Sequence, residues 1–506
     1  MRWIALPLVL LVGCTTRPVE KVALEPVIED RDVFPLNLEK DFDILFVIDN
    51  SNSMGQEQVN LSQNFPKFID ALRNFKLGPD GSGKPCTPSN QSGCKIPNVH
   101  IGVVSTDLGA GNYGLPSCEV SSGDRGKLQS QPRIAGCVPP SKPYIDYNEG
   151  VTNIASPTKD PVTQVKEAFQ CIAEIGTGGC GFEHTLEAAR RALDPALNLN
   201  PGFIRDNAYL AIVFITDEDD CSAQKPQLFD SNQTDLSDPL GPLTSFRCFE
   251  FGIECDINDR TKPGPRKSCR PAYDWLYKVQ DYVDFFKTLK KPERIIVSAL
   301  AGPTDKVEVG FDGQSPNLRP SCQTKSGNAA PALRIKGVVD AFGDHGQFST
   351  ICTDDFGPAL KELGDLLVTN LNHCLDQPPL TPTGMMTCST GAVVSQGVTC
   401  QQGCLEQADC VVREVTYDSN DQEHATVLTR CESDKFTRAD DKDCGAICPC
   451  WRIVPSPSCD REGRTGYKLE ILRKGEPPQG ASAVLACQAS ALPWGSLEFS
   501  QLPQCK

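Results

Sequence analysis

Asp43-Ile44-Leu45-Phe46-Val47-Ile48-Asp49-Asn50-Ser51-Asn52-Ser53-Met54 is the stretch on which the fold turns. Ile44 to Ile48 is a short apolar run, rich in β-branched and aromatic residues and bounded by polar ones. Such a run reads as a strand buried on both faces, the kind found in parallel sheets. The strand stops at Asp49, and hydroxyls follow at Ser51 and Ser53. A carboxylate and two hydroxyls on the loop after a parallel strand stand where open α/β sheets bind ligands, at the carboxyl edge. Hard oxygen donors of this kind suit Mg²⁺, Mn²⁺ or Ca²⁺ rather than zinc. The same residues also suit an Asp-Asn-Ser turn that caps the following helix.

A second stretch is built alike. Tyr209-Leu210-Ala211-Ile212-Val213-Phe214-Ile215-Thr216 runs straight into Asp217-Glu218-Asp219-Asp220. Four adjacent carboxylates repel one another unless water or a cation compensates them. Asp49-x-Ser51-x-Ser53 behind a hydrophobic strand, with this later strand-Thr-Asp, resembles the metal-ion-dependent adhesion site of the von Willebrand factor A (vWA) family. The resemblance covers about residues 41–374. It implies that Asp49, Ser51 and Ser53 hold a divalent cation and that Asp217 completes the site, often through water. In that family a Gly-rich loop also supplies a Thr. Thr177, in Ile175-Gly176-Thr177-Gly178-Gly179-Cys180, is the match, although the family's Gly-Gly-Thr order is not kept. Glu218, Asp219 and Asp220 go beyond the family pattern. They either bind a second ion, with Asp219 and Asp220 as its ligands, or form a solvated acidic loop.

Between and after these stretches the pattern alternates. Leu61, Phe65, Phe68 and Leu72 recur at helical spacing, as do Val162, Val165, Phe169 and Ile172. Leu186, Ala189 and Leu193 mark a helix, Trp275 to Leu289 another, and Phe356 to Leu371 a closing one. Val99 to Thr106, Arg294 to Gly302 and Gln347 to Thr353 read as strands. Strands alternating with helices imply a doubly wound, mostly parallel α/β sheet of vWA or Rossmann-like type. Two insertions without clear period interrupt it, at about 108–161 and 223–271. Cysteines invite local staples there: Cys86 with Cys94, Cys118 with Cys137, Cys171 with Cys180, Cys322 with Cys352, and two bridges among Cys221, Cys248, Cys255 and Cys269. Past Leu375 the character changes. Residues 376–506 read as a small Cys-rich β module, with strands at Gly466–Leu472 and Ala483–Cys487.

The N-terminus reads as an address rather than as structure. Met1-Arg2-Trp3 precedes an apolar run from Ile4 to Val12, too short to span a bilayer but right for a signal peptide over 1–13. Leu11-Val12-Gly13-Cys14 resembles the bacterial lipobox, which implies that Cys14 is lipidated and that 14–40 is a tether. The residue after it, Thr15, is compatible with the outer membrane. The chain holds 25 Cys, too many for a reducing cytosol unless they bind metal. Setting Cys14 aside leaves an even number for pairing. A formal net charge of −16 without a basic tract excludes a nucleic-acid footprint.

No nucleophile elbow, HExxH helix, phosphate loop or dinucleotide fingerprint occurs. Thr106-Asp107 and Glu183-His184 have no supporting catalytic motif. The expectation is therefore a cell-envelope binding or adhesion lipoprotein and not an enzyme. It is anchored to the membrane by its lipid and uses the cation to take an acidic group of a protein partner. The alternatives are a structural scaffold, in which ion and disulfides only stabilise, and a metal-dependent hydrolase.

Overall fold

The computed structural model describes residues 27–35, 41–73 and most of 96–371. The exceptions in that last span are positions 116–117, 119–122, 132, 134, 149, 157–159, 207 and 326. Beyond it the described residues are 375, 393–394, 398–399, 408–417, 423–431, 448–455, 467–473 and 482–490. Cys14, Cys86, Cys94 and the signal-like segment lie outside them. No described helix is long and apolar enough to cross a membrane.

The chain divides into two compact units. The larger takes Asp32–Leu375 and Val411–Leu485. At its centre is a 7-stranded sheet made of β1 (Asp41–Ile48), β2 (Asn98–Ser105), β3 (Ile145–Asn148), β4 (Val151–Thr152), β5 (Tyr209–Ile215), β6 (Ile295–Ala301) and β7 (Gly346–Thr350), in the order β7-β6-β5-β1-β2-β3-β4. The strands from β7 to β2 are parallel; β3 and β4 add an antiparallel margin. That margin comes from within the first insertion, where the sequence carries no alternation long enough to signal a strand.

Helices cover both faces. They are α1 (Gly55–Arg73), α2 (Pro161–Ala173), α3 (Thr185–Leu193), α5 (Val279–Leu289), α6 (Leu333–Asp340) and α7 (Gly357–Leu371), while α4 (Phe246–Gly252) lies in the second insertion. The pleat sorts β1 between the two layers. Phe42, Ile44, Phe46 and Ile48 face the core under α1, α2 and α7, whereas Leu45 and Val47 face the one under α3, α5 and α6. This is why β1 reads as a continuous apolar run rather than an alternating one. Phe46 sits in an aromatic nest, with ring centroids 4.8 Å from Phe169 and 6.0 Å from Phe65. The helix expected from Trp275 begins only at Val279; Leu276 instead pairs with Ala223 in a β-bridge.

Register decides what meets at the carboxyl edge. Ile48 stands beside Ile215 on one side and Ser105 on the other. The main chain continues the ladder one step further, from Asp49 N–H to Ile215 O (2.9 Å) and from Thr106 N–H to Ile48 O (3.2 Å). β1 is flanked by β2, which follows it, and by β5, which returns from far along the chain, so the crevice between β1 and β5 is a topological switch point.

Two of the expected staples are exchanged. Cys118 pairs with Cys180, and Cys137 with Cys171, in place of 118–137 and 171–180. The reason is tertiary. The first insertion folds back over the loop after α2, so its cysteines reach that loop and α2 rather than each other. Cys322–Cys352, Cys221–Cys248 and Cys255–Cys269 form as the spacing suggests.

Four strands from the C-terminal region join in sequence: Cys410–Tyr417 with Glu423–Arg430, antiparallel, then Cys450–Pro455 parallel to the latter, then Tyr467–Leu472 antiparallel. Cys431–Cys450 ties the middle of this run. The smaller unit takes Met1–Arg31, Asp376–Cys410 and Ala486–Lys506, and it contains the Cys410–Cys487 bridge.

Two outcomes check this architecture. Phe46→Ala empties the aromatic nest and should cost about 3–5 kcal/mol in denaturant unfolding. Non-reducing peptide mapping should recover 118–180 and 137–171; recovery of 118–137 and 171–180 would overturn the packing of the first insertion.

Candidate metal centre

Asp49 ends the central strand and is wholly buried. Its two oxygens are fixed from different elements. Ser51 N–H donates to Oδ1 (2.7 Å), and the Thr216 hydroxyl at the end of β5 donates to Oδ2 (2.8 Å). Gln58 of α1 holds the Asp49 carbonyl (2.8 Å). Ser51 and Ser53 hydroxyls lie 3.1 Å apart, and Ser53 Oγ donates to Asp217 Oδ1 (3.2 Å). The structure therefore gathers Asp49, Ser51, Ser53 and Asp217 from two loops 164 residues apart along the chain.

Thr177 is not brought into this set. It is exposed, its methyl group lies toward Gly55, and no hydrogen bond joins its hydroxyl to Asp49, Ser51, Ser53 or Asp217. Its loop is nonetheless pinned to the site. Gly179 N–H donates to Asn50 O (2.8 Å), and Gln58 exchanges hydrogen bonds with both backbone groups of Gly176. Gly179 has no room for a side chain, because a Cβ there would strike the Asn50 amide.

Asp219 and Asp220 are engaged elsewhere. Asp219 accepts from the Arg334 and Ile335 N–H groups at the start of α6. Asp220 accepts from Leu186 N–H at the start of α3 and pairs with the buried Arg334 guanidinium (3.1 Å). Both carboxylates satisfy helix N-termini, a task that offsets their burial. Burial still lifts Asp219 to about 6, against the pull of Arg334.

The residue that sequence reasoning passed over is Glu183. It sits just before α3, 1% exposed, and neither carboxylate oxygen has a hydrogen-bond donor. The group facing it is the Glu218 carboxyl, an acceptor against an acceptor unless one of the two carries a proton. The Glu183-His184 pair drew notice only as a catalytic candidate, and His184 instead bonds Gly109 O through Nε2 (3.0 Å). The missed signal is an acid directly before an apolar helical run, three residues beyond a cysteine that anchors the loop.

The electrostatics are lopsided. Burial drives the Asp49 carboxyl above its usual range, partly countered by Ser51 and Thr216. Burial, then the charges of Asp49 and Glu218, push Asp217 to about 8. Burial and Asp49 push Glu218 to about 7. Burial, Glu218 and Asp49 hold Glu183 well above the carboxylate range. The groups acting on these four are backbone amides, hydroxyls and other carboxylates, with no lysine or arginine among them. Buried negative charge without a cationic partner is costly, and a divalent cation compensates it directly. Among the described residues no three or more His, Cys, Asp or Glu side chains already stand as a ligand group. The donor set at the mouth is mixed, two carboxylates with two hydroxyls, and that chemistry fits a hard divalent ion.

Above the site lies a cleft of about 420 Å³. Ser53, Asp217 and Glu218 line its floor, Phe246 and Phe249 of α4 one wall, and Pro316 and Leu318 another. The latter belong to a hairpin, Glu308–Asp312 with Ser315–Leu318, that the sequence reading did not anticipate. The Cys221–Cys248 bridge ties α4 to the acidic loop.

No family model matches this chain. No curated protein matches it either. Among solved structures it is similar to the conserved hypothetical protein BatB from Bacteroides thetaiotaomicron, at 11% identity over 65% of this chain and 97% of that one, with a TM-score of 0.23. An aerotolerance-related membrane protein from Bacteroides fragilis is similar at 11% identity over 64% and 97%, with a TM-score of 0.23. The adhesive tip pilin of Group B Streptococcus agalactiae is similar at 12% identity over 92% and 81%, with a TM-score of 0.24. Likenesses this slight carry no argument about fold or role.

A pH dependence follows. Carboxyls whose folded pKa is raised bind protons more tightly folded than unfolded. Their contribution is present in full below the unfolded value, about 4, and is lost as pH rises through the folded values of about 7 for Glu218 and about 8 for Asp217. In EDTA the melting temperature should fall between pH 5 and pH 8 by this contribution. Saturating Ca²⁺ or Mg²⁺ should remove that fall, because the ion replaces the protons. A fall of the same size with the ion present would count against a cation at these carboxylates.

Proposed function

We propose that this chain is a vWA-type binding protein of the bacterial cell envelope. It holds one divalent cation through Asp49, Ser51, Ser53 and Asp217. The ion keeps a coordination position open to the cleft, where an acidic group of a protein partner enters. The observation that carries this reading is the meeting of Asp49 and Asp217 through Ser51 and Ser53 at the switch point of a parallel sheet. Neutral hydroxyl donors leave an ion electrophilic towards an incoming carboxylate. In the proposed role Asp49 and Asp217 set the charge of the site, the serines supply its hydroxyl donors, and Thr216 and Gln58 keep Asp49 in place.

The envelope assignment rests on the lipobox-like Leu11-Val12-Gly13-Cys14 and on the disulfides that staple the described residues, since such bridges persist in oxidising compartments. Lipidation at Cys14 anchors the chain, with the outer membrane as the favoured face. The chain acts by binding rather than by turnover.

Calorimetry on the full chain with Mg²⁺, Mn²⁺ and Ca²⁺ tests the centre. Wild type should bind one ion, and Asp49→Ala none, with the fold retained by circular dichroism. The partner step is tested by capture from an envelope extract: binding in Mg²⁺ that EDTA, Asp49→Ala and a glutamate-rich peptide each abolish. Capture that is indifferent to all three removes the adhesion reading.

A further inference from the structure

We infer that the partner's acid stands beside a bulky apolar side chain, which seats between α4 and the hairpin while the acid reaches the ion. This deepens the proposed function and rests on it. What carries it is the contrast between the floor of the cleft and its walls. The floor is acidic, at Asp217 and Glu218, whereas Phe246 and Phe249 form one wall and Pro316 and Leu318 the other. Phe249 and Leu318 are only half-buried, so both walls keep apolar surface open to the cleft. Surface of that kind is what a ligand gains by covering, and a cleft of apolar walls with a few polar groups is the usual form of a binding site.

Charge fixes which part of the partner goes where. Among the described residues no lysine or arginine lines the cleft, and Asp312, at the turn of the hairpin, adds one more acid to its edge. An acid of the partner is therefore drawn by the ion alone, on the floor, and what stands next to it meets the apolar walls. A second acid in that place finds no cation and faces like charge. A segment of acids alone uses the floor, leaves the walls wet and competes only in excess.

Both walls are fastened to the loop that carries Asp217. The Cys221–Cys248 bridge ties α4 to the end of the acidic loop. Next to Cys248, the buried Arg247 guanidinium donates to the carbonyls of Leu228, Gly241 and Pro242, which sets α4 firmly in the second insertion. The rings of Phe246 and Phe249 lie 5.6 Å apart, centroid to centroid. On the other side Arg266 N–H donates to Val307 O (2.8 Å), just before the hairpin, and Ala330, which also lines the cleft, donates its N–H to Asp217 O (2.8 Å). Walls held in place before binding keep the ordering cost of a partner low. In this arrangement Asp49, Ser51, Ser53 and Asp217 decide that an acid is taken, and Phe249 and Leu318 decide which acid.

Fluorescence anisotropy in MgCl₂ on the full chain tests this with three labelled, capped peptides: Gly-Phe-Asp-Phe-Gly, Gly-Gly-Asp-Gly-Gly and Gly-Phe-Asn-Phe-Gly. The first should bind about ten- to hundredfold more tightly than the second, the gain expected from covering one large apolar side chain. The third should not bind. Phe249→Ala and Leu318→Ala should each weaken the first peptide by about fivefold or more. Neither should change the affinity of the second peptide, or that of Mg²⁺ read by calorimetry. Equal binding of the first two peptides to wild type, a comparison that needs no variant to fold, overturns the inference. The proposed function then stands, provided both peptides need Mg²⁺ and are lost in Asp49→Ala. An unchanged ratio of the two peptides in both wall variants overturns it in the same way. Binding of the asparagine peptide as tight as that of its aspartate counterpart, binding that survives EDTA, or failure of all three peptides with the Mg²⁺-loaded chain overturns the proposed function and the inference together.

Discussion

The charge of Asp49, buried at the end of the central strand, is the constraint around which the rest of the larger unit is arranged. The strand ends in a buried crevice because five parallel strands place their carboxyl ends side by side and helices close both faces. A carboxylate there is tolerated only while each lone pair is used. Ser51 N–H and the Thr216 hydroxyl meet part of that demand. Asp217, Glu218 and Glu183 then increase the demand instead of meeting it, since each adds negative charge within reach of the others. The sheet is held by apolar packing, whereas burial and mutual repulsion hold the carboxyls of the crevice towards their protonated forms.

The remaining acids show that burial alone does not make a site. Asp219 and Asp220 are neighbours of Asp217 in sequence, yet the chain spends them on the N-termini of α6 and α3 and on Arg334. Asp217, Glu218 and Asp219 all border the cleft beside Ser53, but Asp219 is already taken by the N–H groups at the start of α6. Access is then set by parts added to the sheet. Ala110, Leu115 and Cys118 of the first insertion share an apolar cluster with Leu228, Phe229 and Cys248 of the second. The two insertions pack on one another there, and the Cys118–Cys180 and Cys221–Cys248 bridges tie that pack to the Gly-rich and acidic loops.

By itself the sequence determined the strand-and-helix alternation of 41–371, the central place of the Asp49 strand, and the Asp49, Ser51, Ser53 and Asp217 group. These were legible because a strand buried on both faces must be apolar throughout, and because a run that ends abruptly in oxygen donors marks the carboxyl edge. What only the tertiary structure decided is every pairing between parts distant in the chain. Cysteine spacing could not foresee that the first insertion turns back over the loop after α2, since a bridge needs proximity in space and separation along the chain says little about it. Thr177 was chosen by order along that loop, yet it is exposed, while Glu183, six residues on, is buried where the chain passes between the ends of β2 and β5. Local pattern fixes which residues can carry charge into a fold; only the packing of distant segments decides which of those charges are left without a partner.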